Sequence, residues 1–135
     1  LTGAKADISW GEISAERYPN RPMCQAFKDN MATLGIEMKW PDPKAQYGSS
    51  DIGNVSIKIP AIHDYLSITD DKTIRAHTKE YADAAKSEEA QEICLKGAKG
   101  LAMTGYDILS SDEFQAEIRR FHEQQIPDFY KKKKS

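Results

Sequence analysis

The chain has 135 residues, enough for one compact domain that needs no disulfide or metal staple. Its 19 basic and 21 acidic residues give a formal charge of -2, so it lacks the electrostatic footprint of a general nucleic-acid binder. An apolar fraction of 39% and a charged fraction of 30% favour a helix-rich domain with solvated faces or a piece of something larger, and no apolar run approaches the length of a membrane span.

In chain order, "AKADISW" alternates weakly and reads as a short strand. Asn20 suits an N-cap and Pro22 the first turn of a helix. Met23, Phe27, Met31 and Leu34 recur at three- and four-residue spacing as its apolar stripe, and Gly35 is its stop signal. "MKWPDPKAQYGSS" is a long loop, a place where function concentrates. In "NVSIKIPA", Val55, Ile57 and Ile59 alternate with Ser56 and Lys58, the pattern of a half-buried strand ended by Pro60. "DYLSI" reads as a further strand. Thr78 caps a short helix, "KEYADAA". Ser87 caps a long one, with Glu88 and Glu89 in its first turn. The expected inner face of that helix is Ala90, Ile93, Cys94, Gly97, Leu101, Gly105 and Ile108. Gly97 and Gly105 suggest close approach of another backbone. Ser110 and Glu113 offer a capping box for the last helix, whose stripe is Phe114, Ile118 and Phe121. The order strand, helix, long loop, two strands and then helices predicts an α/β or α+β fold, taken as α/β with short strands flanked by helices.

Cys24 and Cys94 are far apart, both on helical patterns, with no CxxC pair. They read as buried reduced thiols of a cytoplasmic protein. The terminal "KKKKS" reads as a frayed, solvated end. Leu1 in place of Met suggests a fragment or processed product.

Several residues could carry chemistry. In "YGSSDIG", successive small residues let main-chain N–H groups converge on an anion, and Asp51 can accept bonds from the turn's own amides. The plain alternative is a tight loop with no ligand. His77, in "AHT" just before a helix, could present an imidazole nitrogen to a metal. A catalytic zinc needs about three protein ligands, no second ligand lies at suitable spacing and no HExxH occurs, so residue types alone favour a structural His77. His63 fits a core histidine bonded to a main-chain carbonyl, and His122 a solvated one. Glu88 and Glu89 are explained by the helix dipole. Ser50, His77 and Asp51 can be assembled into a triad on paper, but no GxSxG elbow supports it.

Taken together, "GSSDIGNVSIKIPAIHDYLSI" resembles the pattern "GSTDxGNVSxxxPxIHxYxxI" of the zinc amidohydrolase and peptidase family. That family includes aminoacylases, carboxypeptidase G and succinyl-diaminopimelate desuccinylase. "AHTKEYADAAKSEEAQEICLKGAKGLAMTGYDIL" resembles the last stretch of its aminobenzoyl-glutamate hydrolase and dipeptidase-like branch, "GHTxEFxxAAxSxxG" and the long helix after it. The resemblance covers roughly Pro19 to Phe121 and is specific through its segments jointly. It implies the C-terminal part of the catalytic domain of a zinc-dependent exopeptidase-like fold, residues 19–135, with residues 1–18 returning from a lid and dimerisation domain.

By that resemblance His77 matches a metal ligand. Gly48, Ser49 and Ser50 match a loop that contacts the substrate's carboxylate end, Asp51 shapes it, and His63 matches the motif's histidine with its role open. The other ligands and the general base would lie upstream of Leu1. The implied full-length protein is a homodimer that uses zinc or another divalent metal to cleave a small N-acyl amino acid or dipeptide, without nucleic acid or membrane as partner. This chain alone would bind no metal and be inactive. The alternatives are a free-standing carboxylate-binding module, or a non-catalytic subunit derived from the same fold.

Overall fold

The computed structural model describes residues 3–11, 14–42, 48 and 50–131. These form six helices: α1 Arg21–Thr33, α2 Ile52–Ser56, α3 Lys79–Ala84, α4 Glu88–Ser110, α5 Asp112–Gln125 and α6 Asp128–Lys131. The expected α/β arrangement is not found. Among the described residues there is no strand, and the β-type pairing is one isolated parallel bridge between Pro19 and Ala61. "AKADISW" and "DYLSI" lie in irregular segments. The four-lysine tail falls outside the described residues except for Lys131, at the end of α6.

The stretch read as a strand at Val55, Ile57 and Ile59 begins as α2 instead. The Asn54 amide donates to the Asp51 carbonyl at 2.9 Å and that of Ile59 to the Val55 carbonyl at 3.0 Å, closing successive turns. Polar side chains decide which face turns inward. Asn54 Oδ1 accepts from the Ala15 amide at 2.6 Å, and Ser56 Oγ accepts from the Tyr18 amide at 3.0 Å while donating to the Gly53 carbonyl at 2.8 Å. Ser56 is buried and Val55 and Ile59 are exposed, the reverse of the alternating pattern. Gly53 is required by close approach: a Cβ there would collide with the Ala15 carbonyl.

Helix α1 forms as its local signals direct. Asn20 Oδ1 accepts from the Met23 amide at 3.3 Å, Pro22 lies in the first turn, and Gly35 adopts φ 79° after the last turn. Its Phe27 and Met31 are buried where α1 packs on α4 and α5. Asn20 is itself fully buried, and its Nδ2 donates to the Ile118 carbonyl of α5 at 3.0 Å. On the other side, Asn30 Nδ2 donates to Asp107 Oδ2 at 2.8 Å and to Thr104 Oγ1 at 3.2 Å, fastening α1 to α4.

Thr78 and Ser87 cap α3 and α4 by accepting from the Tyr81 and Ala90 amides. The inner face of α4 differs from the expected one. Ala90, Gly97, Gly100 and Thr104 are buried, whereas Cys94 and Leu101 are exposed and Gly105 has open space beside it. A Cβ on Gly100 would meet the Met31 sulfur, and one on Gly97 would lie 2.8 Å from Leu66 Cδ1, so side chains rather than another backbone set the need for small residues. The cap of α5 is Ser111, one residue later than expected, accepting from Phe114 N, so Ser110 and Glu113 form no capping box. Both cysteines are free, but neither is fully buried: Cys24 is half-buried and Cys94 exposed.

The apolar core of the described residues is small: Phe27, Met31, Ala90, Ile118 and Ile126. Large apolar side chains remain in solvent, Trp10 at 91% and Leu109 at 82% exposure among them.

Candidate functional site

A groove of about 310 Å³ lies between α1, residues 38–41 and residues 61–65. Helix α1 turns Arg21, Cys24 and Lys28 toward it at i, i+3 and i+7, a face distinct from its buried stripe. Helix α2 contributes Ile52 and Ser56, and the far wall carries Ile62, His63, Asp64 and Tyr65. The Arg21 guanidinium lies 5.2 Å from the centre of the Trp40 ring, within cation–π range. The His63 and Tyr65 rings stack at 4.9 Å, and Arg17 Nη1 donates to the Tyr65 hydroxyl at 3.1 Å.

Four cationic side chains, Arg17, Arg21, Lys28 and Lys39, line this groove with one carboxylate, Asp64. Asp64 Oδ2 is buried and has no hydrogen-bond partner among the described residues. Burial pushes the Asp64 carboxyl above the usual carboxylate range, partly offset by His63. Burial, reinforced by the Asp64 charge, pushes the Cys24 thiol up to about 12, which makes it a poor nucleophile.

The residues singled out in the sequence do not meet at one point. His63 lines the groove but is exposed, stacked on Tyr65 rather than held in the core. Gly48 is exposed, and Ser49 lies outside the described residues. Ser50 is half-buried at the head of α2. Its Oγ donates to Asp51 Oδ1 at 3.5 Å and accepts from the Ile52 amide at 3.4 Å. Asp51 makes no side-chain cap bond to α2; among the described residues its carboxylate accepts from Ser50 Oγ. His77 stands apart from the groove, exposed, in the turn before α3. Its φ of 66° is the one positive value on a non-glycine among the described residues, a conformation tolerated by His more than by most side chains.

Among the described residues, no three His, Cys, Asp or Glu side chains converge as a metal site would require. His122, expected to be solvated, is half-buried, with Nε2 at 2.8 Å from the Ser56 carbonyl, so it donates there and ties α5 to α2. Sequence reasoning missed the groove-lining set on α1. The signal available was the second face formed by Arg21, Cys24 and Lys28.

No helix among the described residues is long and apolar enough to cross a membrane. No family profile matches the chain, and no solved structure matches it. Two curated proteins do. The chain is 37% identical over 125 residues to a mouse Xaa-Arg dipeptidase, a match covering 88% of this chain and 28% of that protein. It is 40% identical over 103 residues to the human Xaa-Arg dipeptidase, covering 75% of this chain and 23% of that protein. The chain is therefore similar over most of its length to part of two peptidases, and spans about a quarter of the length of each.

Proposed function

We propose that the chain is the C-terminal part of a metal-dependent amidohydrolase or peptidase. That protein hydrolyses an amide bond in a small N-acyl amino acid or dipeptide, and these 135 residues alone are inactive. The observation that carries this reading is the 37% identity across 88% of the chain to a protein named as a dipeptidase.

In this reading His77 is one ligand of a zinc or other divalent ion, completed by side chains from the remainder of a longer polypeptide. Its exposure and its left-handed backbone support the role, because a conformation that costs about 1–3 kcal/mol is found disproportionately at functional sites. The described residues do not assemble a metal site by themselves, and no reaction step is drawn through one. Gly48, Ser49, Ser50 and Asp51 form the loop facing the substrate's carboxylate end, and His63 lies on the adjoining wall. The full-length protein is a cytoplasmic homodimer with neither nucleic acid nor membrane as partner.

The test is to express the longest reading frame containing this chain beside the chain itself, and to assay amino-acid release from a panel of dipeptides. Metal-dependent cleavage by the longer protein and none by the chain is the expected result. Cleavage by the chain alone overturns the reading.

The second reading, a free-standing carboxylate-binding module, is favoured by the four cations of the groove. It predicts that the isolated chain binds acetylated amino acids and that Lys28→Glu removes binding.

A further inference from the structure

Helix α4 is apolar on two faces. Its inner face carries the buried Ala90, Gly97, Gly100 and Thr104, and α1 and α5 are the helices it packs on. Its outer face carries Leu95, Ala98, Leu101, Ala102, Tyr106 and Leu109, all exposed and recurring at three- and four-residue spacing. The four large side chains of this set are between 55% and 82% exposed. Charge does not solvate the face. From Gly100 to Ser110 the one charged residue is Asp107, and its Oδ2 accepts from Asn30 Nδ2 of α1 at 2.8 Å. A surface helix carries charged and polar residues opposite its core face, whereas a helix apolar on both sides belongs in an interior.

Two observations say what covers this face. Large apolar side chains are also exposed on other segments, at Trp10, Ile59 and Phe129, around a core of five buried apolar residues. A second copy docked through α4 would present the same patch from both sides and leave those other segments in water. A longer chain buries a larger share of its surface, and about three-quarters of the relatives' length has no counterpart here. A body of that size can cover several separate patches of this domain at once.

We propose that the outer face of α4, from Leu95 to Leu109, is an internal interface covered by an apolar surface from the uncovered part of the longer polypeptide. The inference rests on the reading of the chain as part of a longer protein, and not on that protein's chemistry.

Photo-leucine, incorporated in place of leucine in the longest reading frame containing the chain, tests it. On irradiation Leu101 and Leu109 are expected to crosslink to residues outside these 135, in a product that keeps the mass of one chain under denaturing conditions. Leu66 is the internal control, because its Cδ1 lies beside Gly97 and it should crosslink to α4. Four results overturn the proposal: a product of two-chain mass joined through α4, which reports a second copy; no crosslink from Leu101 or Leu109 while Leu66 reports; crosslinks confined to these 135 residues; or a reading frame that adds no chain. Leu109→Lys is expected to lower the melting temperature of the longer protein by several degrees, since it buries an unpaired charge, and an unchanged melting temperature also overturns the proposal. Crosslinking as expected in a longer protein that cleaves no dipeptide leaves the interface standing and removes the proposed activity. Cleavage without those crosslinks does the reverse.

Discussion

Replacing Asn20 tests how this small domain is held together. Four bonds converge on this fully buried residue: Oδ1 accepts from the Met23 amide, Nδ2 donates to the Ile118 carbonyl, the main-chain N–H donates to the Ala61 carbonyl at 2.9 Å, and the main-chain carbonyl accepts from the Cys24 amide at 2.9 Å. Asn20→Ala keeps only the two main-chain bonds. Loss of the cap costs about 1 kcal/mol, and leaving buried polar groups without their partner costs about 1–3 kcal/mol more. A total of about 2–4 kcal/mol is a large fraction of the roughly 5–15 kcal/mol that stabilises a domain. Asn20→Asp retains the cap acceptor but loses the Nδ2 donor, so it separates the cap from the link to α5. Urea denaturation of the three proteins, monitored by far-UV circular dichroism, reads both losses. Asn20→Ala is expected to be the more damaging of the two at low pH, where the aspartate is neutral. A loss below about 0.5 kcal/mol for Asn20→Ala, the range of ordinary surface changes, would refute the reasoning.

Other consequences follow from packing and ionisation. Gly100→Ala forces a methyl against Met31 and Phe27 and should destabilise by about 1–3 kcal/mol. Gly105→Ala meets nothing within 4 Å and should stabilise α4 by up to about 1 kcal/mol; urea midpoints check both. For Asp64, burial raises the folded pKa above the unfolded value, so the native state binds the extra proton. The stability this gives is fully present below the unfolded pKa and is lost as pH rises through the folded one. Asp64→Asn should therefore stabilise the chain at pH 7 and bring no gain near pH 3, read from melting temperature against pH. For Cys24, raised to about 12 from 9.0, stability should decline as pH rises from about 9. Iodoacetamide at pH 8 should label the exposed Cys94 well before Cys24, as read by peptide mass.

What the sequence made legible was local. Asn20, Thr78 and Ser87 cap the helices they precede, because an N-cap is decided by a side chain and an amide two or three residues away. The errors arose where distant contacts decide. Val55, Ile57 and Ile59 alternate as a strand would, yet Asn54 and Ser56 are engaged by the amides of Ala15 and Tyr18 far upstream, and the segment coils into α2. On α4, Leu101 was the natural core residue by type. Met31 and Phe27 fill the space beside Gly100, so the buried stripe passes through Gly100 and Thr104 instead. The candidate site was legible only as scattered residues. His63 reached a groove, but its neighbours Cys24, Lys28, Trp40 and Asp64 come from three separate segments and no single window of sequence joins them.

The central claim is that His77 is a metal ligand of a longer hydrolase. The most direct measurement is metal content per protein chain in the longest reading frame containing these residues, for the native sequence and for His77→Ala, with folding checked by circular dichroism. The account predicts bound divalent metal in the native protein and loss of at least one ion, together with dipeptide cleavage, in the folded variant. Unchanged metal content and unchanged cleavage in His77→Ala would contradict it.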